Sequence, residues 1–140
     1  MKDAPMDWVN VLAAHVHIRG MFPNGAPSLD KMTLREIVMR AYENIDIYLD
    51  FVQIPRDVPK RWLVNRCPII QIRLHLEGVS NCTIASPDAW GGGACSVTLL
   101  PGCLTLNGTE DKKLIAMNFI EATADISPRT DHLDYVPERK

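Results

Sequence analysis

Long hydrophobic runs are absent from this 140-residue chain, and no stretch approaches the ~20 apolar residues that cross a bilayer as a helix. Charge of one sign is also missing. The net charge is −2, so nothing global points to DNA, RNA or an anionic membrane. The opening Met1-Lys2-Asp3-Ala4-Pro5 lacks the charged-then-apolar order of an export signal, and Asp3 and Asp7 interrupt it. The expectation that follows is a cytosolic origin, bacterial or viral. On that expectation the sequons Asn81-Cys82-Thr83 and Asn107-Gly108-Thr109 are chance matches, and the second reads better as a turn. Closely paired cysteines are lacking too. Cys67, Cys82, Cys95 and Cys103 stand 15, 13 and 8 residues apart with no C-x-x-C. Structural zinc sites draw their ligands from tight pairs, so a four-cysteine zinc site is disfavoured. In a reducing compartment the four read as buried thiols.

What is present is a globular composition, with 46% apolar and 23% charged residues. The length suits one domain able to bury about two-thirds of its unfolded surface. Residues 6–19 read as a helix, with Trp8, Val11, Leu12 and Val16 as a stripe and Gly20 as its stop. The strongest helical pattern follows. Thr33-Leu34-Arg35-Glu36 fits a capping box, and Leu34, Ile37, Val38, Ala41, Tyr42, Ile45 and Leu49 recur at three- and four-residue steps. Pro55 and Pro59 then bracket a basic connector carrying Arg56, Lys60, Arg61 and, later, Arg66.

Beyond the connector the period changes to two. Ile70, Ile72, Leu74 and Leu76 alternate with Gln71, Arg73, His75 and Glu77 up to Gly78, which predicts a half-buried strand. Further strands are predicted over 82–85, 96–100 and 103–106, with turns at Pro101-Gly102 and Asn107-Gly108. Residues 112–124 fit either a helix capped at Thr109 or a buried strand, and the strand is slightly favoured. Residues 127–140 form a polar tail with Pro128 and Pro137. The predicted fold is α+β: two N-terminal helices, then a small antiparallel sheet or sandwich, then an extended C-terminal tail. One domain spans 1–140, with a helical part at 1–52, a mainly β part at 61–126 and the tail at 127–140.

No constellation spells out chemistry. His15-Val16-His17-Ile18-Arg19 resembles the metal-binding start of the amidohydrolases. On a helix, however, the two rings point about 200° apart, and the chain is too short for the (β/α)8 barrel that family needs. The other histidines, His75 and His132, bring no acidic cluster with them. Gly91-Gly92-Gly93 after Trp90 lacks the Lys and Ser/Thr of a phosphate-binding loop. It reads as a hairpin tip presenting one Trp, a common docking device. Cys95 with His75 is a nucleophile–base pair on paper only, and no nucleophile elbow exists. Glu43 and Asp46 read as solvated helix residues. Arg56, Lys60, Arg61 and Arg66 with Trp62 could touch nucleic acid, but a solvated surface or a subunit contact is favoured. No cofactor and no metal are expected. The candidate interface residues are Trp90, Gly91, Gly92, Gly93, Arg56, Lys60, Arg61, His132 and Tyr135.

The order of elements carries a resemblance. An amphipathic helix ending in Ile47-Tyr48-Leu49-Asp50-Phe51 leads through a Pro-rich connector to Arg66-Cys67-Pro68-Ile69-Ile70-Gln71-Ile72. Gly78 and Pro101-Gly102-Cys103-Leu104-Thr105-Leu106 follow. Over residues 34–106 this resembles the head–tail adaptor and neck proteins of tailed bacteriophages, although the first helix is short for that family. The resemblance implies a non-enzymatic, ring-forming homo-oligomer in the virion, assembled in the bacterial cytoplasm and touching portal and tail proteins. Two other readings stay open: a small binding or inhibitor module acting on a host protein, and a small enzyme using Cys95 or His75.

Overall fold

The alternation from Ile70 to Glu77 is what a strand with one wet face requires. In the structure, a computed structural model describing residues 8–63, 69–85, 94–108 and 112–128, these residues form strand β3 (Ile70–Glu77). Its apolar members point into the core and its polar members point out. Strand β1 (Met32–Arg40) and strand β2 (Asn44–Phe51) precede it. Strands β4 (Ser80–Ile84), β5 (Ser96–Leu100), β6 (Cys103–Asn107), β7 (Lys113–Asn118) and β8 (Glu121–Pro128) follow. They pair into two four-stranded antiparallel sheets, ordered β1-β2-β3-β8 and β4-β7-β6-β5.

Each sheet is a three-stranded meander completed by one strand from the other half of the chain. The β3–β8 ladder ends at Glu77↔Glu121 and resumes as β4–β7 at Ser80↔Asn118, so one long ribbon passes from sheet to sheet. At the crossing Gly78 adopts φ +67, and the Ile120 N–H donates to the Glu77 carbonyl at 2.8 Å. Between the sheets lies one apolar core, in which Ile47, Ile72, Leu74, Leu104, Leu106 and Ile115 are fully buried. Each such side chain contributes roughly 1.5–3 kcal/mol by leaving water.

The predicted pair of N-terminal helices is not there, and the fold is mostly β. Residues 33–49 are a hairpin, β1 and β2 joined by the turn Ala41–Glu43, and not an amphipathic helix. The physical reason lies in the side chains. Ile45, Ile47, Leu49 and Phe51 alternate with Asp46, Tyr48 and Asp50, and Thr33, Ile37 and Val38 are β-branched residues that suit a pleated surface. A bulge between Leu34 and Glu36 breaks the alternation of β1, so that spacings of three and four imitate a helix. Thr33 and Glu36 flank this bulge and form no capping box. Of the helix expected over 6–19, the structure has a 3-10 turn at Trp8–Val11 and a short helix α1 at Val16–Met21.

This N-terminal segment closes the side of the sandwich. Val9, Leu12 and Ile18 enter the core, Trp8 Nε1 donates to the Pro27 carbonyl at 2.9 Å, and the Ala13 N–H donates to the Ala122 carbonyl at 2.8 Å. Met32 and Cys95 exchange two backbone hydrogen bonds of 2.8 Å, joining the start of β1 to the segment before β5.

The later strands follow the expected pattern closely. The strands expected at 96–100 and 103–106 are β5 and β6, and Gly102 at φ +77 after Pro101 supplies the left-handed position of their tight turn. Residues 112–124, open between helix and strand, fall in β7 and β8. Ser127 and Pro128, expected in the tail, end β8, and the rest of the tail lies outside the described residues. Among the described residues no helix is long and apolar enough to cross a membrane.

Candidate functional site

Three features of the sandwich carry concentrated polar or exposed apolar groups: the outer face of the first sheet, and the two ends.

On the outer face, register brings distant residues together. Asp46 on β2 stands opposite His75 on β3, and Asp50 stands opposite Gln71. Asp46 is only 1% exposed. Arg40 Nε donates to its Oδ2 at 2.6 Å, and His75 Nδ1 lies in hydrogen-bonding contact with its Oδ1. His75 Nε2 is 3.2 Å from Glu77 Oε2. Both ring nitrogens thus face carboxylate oxygens, an arrangement in which an imidazolium donates twice and a neutral ring once. Burial pushes the Asp46 carboxyl up, but the hydrogen bonds from His75 and Arg40, together with their charges, outweigh it and hold the group below the usual carboxylate range. Further along, Gln71 Nε2 donates to Asp50 Oδ1 at 3.1 Å, and Arg35 Nε is 3.4 Å from Asp50 Oδ2.

The acidic and basic members of this ladder satisfy one another, and among the described residues no thiol or hydroxyl pairs with His75 and no His/Cys/Asp/Glu group could hold a metal. The paper pairing of Cys95 with His75 fails on geometry. His75 points out from β3, whereas Cys95 lies in the core, where burial pushes its thiol up. The ionised Asp46 stabilises the fold at pH values above its unfolded pKa of about 3.9, and that contribution is lost as pH falls through its lower folded value. Asp46→Asn is therefore expected to cost about 1–3 kcal/mol near pH 7. The gap to the parent chain should close below about pH 4, as read by denaturant unfolding at each pH.

At one end of the sandwich four turns gather: Ala41–Glu43, residues 78–79, 101–102 and 119–120. Backbone bonds tie them together, Val79 N–H to the Glu43 carbonyl at 2.9 Å and Phe119 N–H to the Gly102 carbonyl at 3.1 Å. Tyr42, at φ 63 and ψ 34, and Glu43, at φ 63, are two consecutive left-handed non-glycine residues. Each costs about 1–2 kcal/mol relative to the right-handed form. Tyr42 is 91% exposed, Ile120 84% and Met39 63%, and Glu43, Glu77 and Glu121 are exposed around them.

The other end carries the basic connector. It leaves β2 after Phe51 and returns to β3 at Ile70, so Arg56, Lys60 and Arg61 belong to this end, all exposed. Arg56 lines a cleft of about 410 Å³ with Pro27, Lys31, Phe51, Ile54 and Pro55. Val52, Ile54 and Leu63 are exposed there.

Of the sequence-based interface candidates, the structure therefore gathers Arg56, Lys60 and Arg61 at one end. Trp90, Gly91, Gly92, Gly93, His132 and Tyr135 lie outside the described residues, as do Cys67 and Arg66. His15 stands at the N-cap of α1, and His17 Nε2 is 3.7 Å from Asp125 Oδ1, so the H-x-H string is split between a helix cap and the outer face of β8. The expectation of uniformly buried thiols is corrected: Cys95 is buried, Cys103 half-buried and Cys82 exposed on β4. An alkylating reagent should modify Cys82 well before Cys95, as followed by peptide mass spectrometry.

Sequence reasoning missed Tyr42 and the Asp46–His75 pair. The strict alternation from Ile45 to Phe51 could have shown Asp46 to be an outward strand residue, but no local signal marks its pairing with His75 or the left-handed backbone at Tyr42. Comparisons with family models, with curated proteins and with solved structures found no match for this chain.

Proposed function

We propose that this chain is a non-enzymatic structural subunit of a larger assembly, placed at the neck or tail of a phage virion. There it forms a ring-like homo-oligomer and touches neighbouring virion proteins such as portal or tail proteins. The observation that carries the reading is the exposure of large apolar side chains at both ends of the sandwich, Met39, Tyr42 and Ile120 at one and Val52, Ile54 and Leu63 at the other. Exposed apolar surface of this kind marks contact surfaces. The virion placement rests on the resemblance over residues 34–106. Its strand elements fall on β3 and β6, whereas the helix it included is absent, residues 33–49 being the β1–β2 hairpin instead. The test is composition: the chain should be recovered in stoichiometric amounts from purified particles and should bind isolated portal or tail proteins. Its absence from particles, with no affinity for those proteins, would sink the reading.

A second reading draws on a different observation. All five residues of edge strand β4, Ser-Asn-Cys-Thr-Ile, are exposed and uncharged. An edge without charged or proline guards is open to strand addition by a partner. This favours a host-directed binding module, for which one host protein would be retained by the chain and lost on Thr83→Pro.

A further inference from the structure

The two ends of the sandwich complement one another. The first presents Tyr42 at the hairpin tip, with Met39 and Ile120 also exposed at this end and the acids Glu43, Glu77 and Glu121 in or beside its turns. The second is a cleft of about 410 Å³ with apolar walls at Phe51 and Ile54, cations at Lys31 and Arg56 and one acid at Asp30, and Lys60 and Arg61 on the adjoining connector leave this end basic on balance.

The hairpin tip is the more telling of the two. A left-handed position favours Gly or Asn, which would relieve strain at no cost in packing. Tyr42 instead strains the backbone and holds an aromatic ring in water, so folding alone gives no reason for it. Tyr is also a residue type that anchors protein contacts.

We propose that the Ala41–Glu43 tip of one copy docks in the cleft between residues 27–31 and 51–56 of a second copy, with Tyr42 as the anchor and the acids of its end against Lys31, Arg56 and Arg61. This deepens the assembly reading above and rests on it. The two surfaces differ and lie at opposite ends, so the contact is head-to-tail. It leaves one end of each kind free and continues to a closed ring or an open filament. A two-fold contact through either end would press like charges together.

The experiment uses the full chain in sedimentation velocity over a concentration series. The parent chain is expected to grow in mass with concentration. Tyr42→Gly should keep the thermal midpoint or raise it, and should weaken association by at least about tenfold. Two charge variants separate this contact from others. Glu43→Lys/Glu121→Lys and Arg56→Glu/Arg61→Glu should each associate poorly alone, and mixing them should restore assembly, because each then presents ends that fit the other. A parent chain that stays monomeric at every concentration overturns the proposal. So does a Tyr42→Gly chain that associates normally, or a mixture that fails to recover. Monomers that still enter purified particles would overturn this contact and leave the assembly reading standing. Restored assembly of the mixture, with a chain absent from every particle, would do the reverse.

Discussion

Ile47→Ala is expected to lower the free energy of unfolding by about 2–5 kcal/mol, the range for emptying a well-packed core position. Ile47 is 0% exposed on the inner face of β2, between sheets that have few ways to collapse around the missing atoms. Tyr42→Ala, five residues earlier, should change stability by less than about 0.5 kcal/mol, because that side chain stands in solvent. The pair discriminates between strand and helix for this segment. On a helix, Tyr42 would share the apolar stripe with Ile45 and Leu49, and Ile47 would face water. Denaturant unfolding of both variants decides the matter, and a larger loss for Tyr42→Ala than for Ile47→Ala would contradict the hairpin.

Gly78→Val is expected to cost about 2–5 kcal/mol, from two terms that add. The backbone sits at φ +67, where a β-branched residue is disfavoured by about 1–2 kcal/mol or more. A Cβ at this position would also lie 2.6 Å from Ile120 Cδ1 and 3.0 Å from Ile120 Cβ, an overpacking penalty of about 1–3 kcal/mol. Ile120 is mostly exposed, so Ile120→Ala alone should be nearly neutral, and it should recover part of the loss in the Gly78→Val background. Additivity of the two substitutions would show that contact with Ile120 is not part of the constraint. The position matters because Gly78 and Ile120 form the bend by which one ribbon serves both sheets. Loosening it separates the ladders on either side.

How far the structure was legible in the sequence depended on whether pairing partners were needed to read it. Residues 70–77, 96–100 and 103–106 alternate cleanly between bounding turns, and a period of two needs no knowledge of neighbours. Residues 33–49 misled for a local reason. The bulge at Leu34/Glu36 and the tight turn at Ala41–Glu43 shift the phase of the apolar residues, so that two strands counted as one stretch fall on helical spacings. The basic connector was visible as charge between prolines. The Asp46–His75 contact was not, because it joins residues 29 apart through a register that only the folded sheet defines. Tyr42 escaped for a related reason. Nothing in its neighbours announces a left-handed backbone where Gly or Asn is the usual signal.

Backbone hydrogen exchange of the full chain at low and high protein concentration tests the head-to-tail account most directly. If the tip of one copy sits in the cleft of the next, peptides covering 41–43 and 51–56 gain protection together as concentration rises, and edge strand β4 at 80–84 does not change. Protection that appears at 80–84 alone, or at neither end, would contradict it and turn attention to strand addition at β4.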